Sequence, residues 1–110
     1  MRLAAVALGT LVAALAMSAC GGGASDEERD RAIGAAAEAY QKAAQSGEDL
    51  DAGPCVAERL PGLDDWVVDI AHDPRQDVDD DPANQCQRYR EGEASHFVEL
   101  TPEGELIRAE

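Results

Sequence analysis

The chain has 110 residues and a formal net charge of −14, but its composition changes abruptly at residue 20. Residues 1–20 hold 16 apolar residues and one charge, Arg2, while residues 21–110 hold all 23 acids and only 8 basic residues. So acidic a remainder excludes a nucleic-acid-binding domain that works by neutralising phosphates. The length excludes an array of several domains.

The first segment reads as an export leader. Arg2 supplies the charged start, Leu3 to Met17 an apolar run broken only by Gly9 and Thr10, and Ser18 and Ala19 the small residues that precede a cut. The run is shorter than the roughly 20 residues that a spanning helix needs. Met17-Ser18-Ala19-Cys20, followed by Gly21-Gly22-Gly23, resembles the lipobox of bacterial lipoproteins, with Met17 where that family favours Leu. The resemblance implies that residues 1–19 are a cleaved signal peptide. It also implies that Cys20 is the lipid attachment site and that the mature chain faces outward from a bacterial cell membrane. Two acyl chains, each CH₂ adding about 0.8 kcal/mol, suffice for stable anchoring. The alternative is an ordinary secretory leader cut elsewhere.

Residues 20–24 would then be the lipidated Cys and a flexible tether, and residues 25–110 a single small domain. A Gly-rich stretch of about five residues spans only about 12 Å. That distance keeps an acidic domain near a surface whose anionic lipids repel it within about 8 Å.

With Cys20 lipidated, Cys55 and Cys86 remain as a pair. An even count in an exported domain implies a disulfide, here worth roughly 3.7 kcal/mol on the chain-entropy account. The domain has use for it, since seventeen larger apolar residues make a thin core for its size. A redox or metal role for the pair lacks a CxxC spacing and has only His72 and His96 to add ligands.

Ser25-Asp26-Glu27-Glu28 fits a capping box, with three acids at the positive end of a helix dipole. An alanine-rich, proline-free run follows, and Gly47 stops it. The pattern predicts a helix over Asp26–Ser46. Its buried stripe would be Ile33, Ala36/Ala37, Tyr40 and Ala43/Ala44, and Gly34 would ease close approach to a sheet. The string AAAEAYQKAAQSGEDLDA is similar to the first helix and turn of NTF2-like and cystatin-like α+β domains, a likeness that carries no function.

Pro54 and Pro61-Gly62 bracket a predicted short second helix over Cys55–Leu60. Trp66, Val68 and Ile70 alternate as in a strand, and β-branching favours that over a helix. Residues 72–84 hold two prolines and five aspartates and read as a loop. Asp77, Asp79, Asp80 and Asp81 suggest calcium, but the central Gly of an EF-hand loop is missing, and a solvated acidic loop is the simpler reading. Gly-containing turns at 91–93 and 102–104 divide residues 85–109 into a predicted three-stranded antiparallel meander.

The fold class expected is therefore α+β. One long N-terminal helix and a short second helix pack on a small antiparallel sheet of three to four strands, with the Cys55–Cys86 disulfide pinning sheet to short helix. Arg88 and Arg90, on one face of a predicted strand, are candidates to bind an anion, or else to pair with nearby carboxylates. Ser95 and His96 are adjacent, and adjacent strand residues point to opposite faces. No phosphate loop, G-x-S-x-G elbow or H-E-x-x-H is present, so no catalytic set and no cofactor is expected. The function expected is a lipid-anchored binding or interaction module. The alternatives are an accessory subunit of a larger envelope complex, a small hydrolase, or a calcium-binding domain.

Overall fold

The structure, a computed structural model, describes residues 23–110. The leader, Cys20 and the start of the tether lie outside the described residues. No helix among the described residues is long and apolar enough to cross a membrane.

Helix α1 spans Asp26–Gln45, one residue short of the expected end. Ser25 caps it, accepting from the Glu28 N–H at 3.1 Å. Only half of the capping box forms. The Glu28 carboxylate turns away from the cap to accept from Trp66 Nε1 at 2.8 Å, because a buried indole N–H needs a partner. The buried face is centred on Ala32, Ala36 and Ala43, with Ile33, Ala39 and Tyr40 partly buried beside it. Ala37 and Ala44 are exposed, so the stripe sits one position round from the expected one.

The sheet has four strands in the order β1-β2-β3-β4. They are β1 (Cys55–Ala57), β2 (Trp66–Ile70), β3 (His96–Leu100) and β4 (Leu106–Ala109). β1–β2 and β3–β4 are antiparallel. β2 and β3 run parallel in unbroken register, from Trp66 opposite His96 to Ile70 opposite Leu100. The sheet is therefore mixed, not antiparallel throughout, and a parallel pair needs a long crossover. Residues 71–95 supply it.

Two local expectations change with that topology. Cys55–Ala57 is a strand, not the start of a helix, because its backbone pairs with β2 opposite Asp69 and Val68. Residues 85–90 are part of the crossover and not a strand. Gln87–Arg90 forms a short helix, α2, and a period of two over so few residues cannot separate the two states. Glu58, distant in sequence but adjacent in space, decides the matter. Its carboxylate accepts from the N–H of Gln87 at 2.7 Å and of Arg88 at 3.0 Å, capping α2 from 29 residues away.

The predicted disulfide is present, joining Cys55 to Cys86 with Cα atoms 4.8 Å apart. It ties β1 to the residue that precedes α2, where the sequence suggested a helix tied to a strand. Beneath α1, Trp66, Val68, Ile70, Val98 and Leu100 form the main core with Ala32 and Ala36. On the opposite sheet face Val67, Ala94 and Cys86 form a second cluster with Phe97 and Cys55.

Longer ties complete the packing. Tyr40 donates to the Pro102 carbonyl at 2.8 Å. Its ring lies where a Cβ on Gly104 (φ +89°) would collide, so that turn admits only glycine. Arg29 Nε donates to the Ala109 carbonyl on the outer edge of β4 at 2.9 Å.

Gly34 behaves otherwise. It is exposed, and a Cβ there would meet nothing within 4 Å, so close approach to the sheet does not explain it. Gly34→Ala should therefore stabilise the fold by about 1 kcal/mol, read as a higher urea midpoint at unchanged slope. Replacing Cys55 and Cys86 together by Ala should cost about 2–5 kcal/mol in the same measurement.

Candidate functional site

Alternation along β2 and β3 sends Trp66, Val68, Ile70 and Val98 toward α1, and Val67, Asp69, Phe97 and Glu99 toward the crossover. Register places Asp69 directly beside Glu99, on strands about 4.8 Å apart. Two carboxyl groups thus stand side by side on the face covered by α2 and its flanking loops.

They form the floor of a cleft of about 160 Å³. Val67, Phe97 and Cys86 give it apolar walls, and Gln85, Tyr89, Arg75, Arg90 and Arg108 surround the opening. Phe97 and Tyr89 meet edge to face at 5.2 Å, and the Arg108 guanidinium lies 5.2 Å from the Phe97 ring centre.

The electrostatics are unequal. Glu99 is only 5% exposed. It is flanked by Arg75 Nη1 at 3.4 Å and Arg108 Nε at 3.5 Å, both longer than the roughly 2.8 Å of a tight charge-assisted bond. Asp69 has less support, since its buried Oδ1 has no hydrogen-bond partner among the described residues. Burial, and then the neighbouring Glu99 charge, push its carboxyl up to about 7, against a smaller pull from Arg75 and Arg108. Near neutrality, the site holds a proton that an ordinary aspartate would have shed.

The arginines differ in how far they are already used. Arg75 is fully engaged, reaching Asp80 at 2.8 Å, Glu99, and the Asp79 carbonyl at 3.2 Å. Arg90 makes a single long contact, 3.4 Å from Nη1 to the Pro82 carbonyl. Arg108 uses only Nε on Glu99.

The residues singled out from the sequence are scattered by comparison. Arg88 does not line the cleft. Its Nη1 donates to the carbonyls of Glu58 at 2.7 Å and Asp64 at 2.9 Å, clamping the crossover to the loop before β2. Arg90 does line it, so a helix separates the two side chains that a strand would have aligned.

Asp77, Asp79 and Asp81 do not converge. Asp79 is 3% exposed and accepts from the N–H groups of His72 and Gln76, both at 2.9 Å, with the His72 ring 3.0 Å away. Burial works to raise its carboxyl, but these donors outweigh it and hold the group below the usual range. Asp81 caps the Ala83 N–H at 3.0 Å, and Asp77 is exposed. Asp79 and Asp81 are thus bound to the loop's own backbone, and Asp80 pairs with Arg75. Among the described residues the only cluster with metal-ligand spacing is Cys55, Glu58 and Cys86, and there both sulfurs are joined to each other.

Ser95 is exposed, with its N–H donating to Asp65. His96 stacks on Trp66 at 4.8 Å, with Nε2 3.7 Å from Asp65. The cleft residues Asp69, Glu99, Arg75 and Arg108 were missed by sequence reasoning. A signal was present, because WVVDI and HFVEL each carry one acid at the fourth of five positions.

Comparison with protein-family models, with curated proteins and with solved structures finds no match to this chain.

Asp69 generates a pH prediction. Its ordinary value is 3.8, and in the fold it is about 7. As pH rises between these, the unfolded chain sheds the proton and the folded chain keeps it, so stability falls; above about 7 the penalty is complete. Asp69→Asn should remove it, leaving stability at pH 4 little changed and raising it at pH 8 by up to about 4 kcal/mol. Thermal melts of both proteins across that range check this.

Proposed function

We propose that the chain is an outward-facing bacterial lipoprotein, held on the membrane by lipid at Cys20. Its folded part acts as a binding module for a small polar ligand seated in the cleft. The observation that carries the ligand part is the Asp69–Glu99 pair on the cleft floor, with one buried acceptor lacking a partner. Packing gives no reason for that pair. Apolar residues of similar size would fill the same space without the desolvation cost of two neighbouring acids. A concave site with apolar walls and a few convergent polar groups is the usual form of a small-molecule seat.

Other features support the same reading. The Cys55–Cys86 disulfide suits an oxidising compartment. The large hydrophobic residues exposed among those described are Tyr89 and Leu106. That is little apolar surface for a broad protein partner, and it favours a small ligand.

Mass spectrometry of the chain recovered from bacterial membranes tests the anchor. The expected product begins at Cys20 and carries diacylglycerol, and Cys20→Ser leaves the leader uncut. A soluble product that begins at another, unmodified residue overturns the anchored reading.

A further inference from the structure

The chemistry of the cleft narrows its ligand. The floor offers acceptors, Asp69 Oδ1 without a donor and Glu99 held only by long contacts. The opening offers donors, with Arg90 Nη2 and the Arg108 Nη1 and Nη2 groups making no hydrogen bond among the described residues. Between them, Val67, Phe97 and Tyr89 present apolar surface. At about 160 Å³ the space is close to the roughly 150 Å³ of an engineered cavity that holds benzene. A ligand of some six to nine heavy atoms therefore fits.

On the reading of the chain as a binding module, we propose that the cleft takes a small zwitterion of the α-amino-acid class. The ammonium group donates to Asp69 and Glu99 on the floor, the carboxylate accepts from Arg90 and Arg108 at the opening, and a short apolar side chain lies against Phe97 and Tyr89. A simple anion leaves the buried Asp69 acceptor unmet. A simple cation leaves the two arginines unmet and must approach past them. One molecule with both charges meets the Asp69 acceptor on the floor and the arginine donors at the opening together.

The arrangement also carries a proton signature. Asp69 faces Glu99 on β3, Arg108 on β4, and Arg75 and Asp79 from the crossover, with Tyr89 and Arg90 of α2 above. An ammonium group arriving among these holds Asp69 ionised, so binding below about pH 7 expels the proton that the empty cleft retains.

Three probes separate the chemistries: L-valine, isobutylamine (valine without its carboxylate) and isovalerate (valine without its amine). The intact chain in detergent is titrated calorimetrically with each. Valine is expected to bind at least about tenfold more tightly than either half. At about pH 6 its binding releases a proton, seen as a heat that depends on the buffer. Asp69→Asn is expected to abolish that release and the preference for valine over isovalerate. Arg90→Gln is expected to abolish the preference for valine over isobutylamine. Both substitutions lie on a floor or rim position, and circular dichroism checks that each variant keeps its fold.

If isovalerate or isobutylamine binds as tightly as valine, the zwitterion assignment is overturned and the binding-module reading stands. If none of the three binds, amide NMR shifts at residues 67–69 and 97–99 decide between the two. Movement on adding a small-molecule extract of the producing cells ends only the zwitterion assignment, and no movement with extract or probes ends both readings.

Discussion

The parallel pairing of β2 with β3 is the constraint on which the rest of the molecule depends. It sets Trp66, Val68, Ile70, Val98 and Leu100 on one face as a single apolar floor for α1. By the same register it sets Asp69 against Glu99 on the other face. Both faces of the pair are covered, as parallel strands require, so anything polar that they carry is buried. The cleft is thus a product of strand direction. An antiparallel partner in place of β3 would have set a different residue beside Asp69.

A parallel pair obliges the chain to travel from one end of the sheet to the other, and residues 71–95 make that journey with only three short helical segments, none longer than four residues. What holds them is a set of polar anchors. Asp79 gathers the N–H groups of His72 and Gln76. Glu58, just after β1, caps α2, Arg88 grips two carbonyls of the 58–64 loop, and the disulfide fixes Cys86 to β1. Here the domain replaces missing apolar volume with hydrogen bonds and one covalent link, a common solution at this size. The cleft rim, with Tyr89 and Arg90, inherits its position from those anchors.

The parts of this fold legible in the sequence are those governed by local rules. Helix α1 was readable from its alanines, its acidic start and Gly47, and the disulfide was expected from setting Cys20 aside as a lipid site, which left Cys55 and Cys86 as a pair. Strands at 66–70, 96–100 and near the C-terminus followed from alternation and β-branching. The parts that were not legible depend on partners distant in the chain. Cys55–Ala57 is a strand because β2 lies beside it, and Gln87–Arg90 is a helix because Glu58, just after β1, reaches it. Glu28 left its capping role because a core tryptophan needed an acceptor. The candidate site was hidden for the same reason. Asp69 and Glu99 are 30 residues apart in sequence, and only the direction of the crossover makes them neighbours. The arginines drew attention through their spacing, yet a turn of helix sends Arg88 to a structural task and Arg90 to the rim. The aspartate run invited a metal reading that its backbone donors answer instead.

The contact of Arg29 with the Ala109 carbonyl has a meaning beyond packing. β4 ends the sheet, and the free rim of a terminal strand is a template on which further strands can add. A guanidinium held over one of its acceptors removes a rung from that template and replaces it with a charge. A blunted rim thus separates individual domains from a growing ribbon.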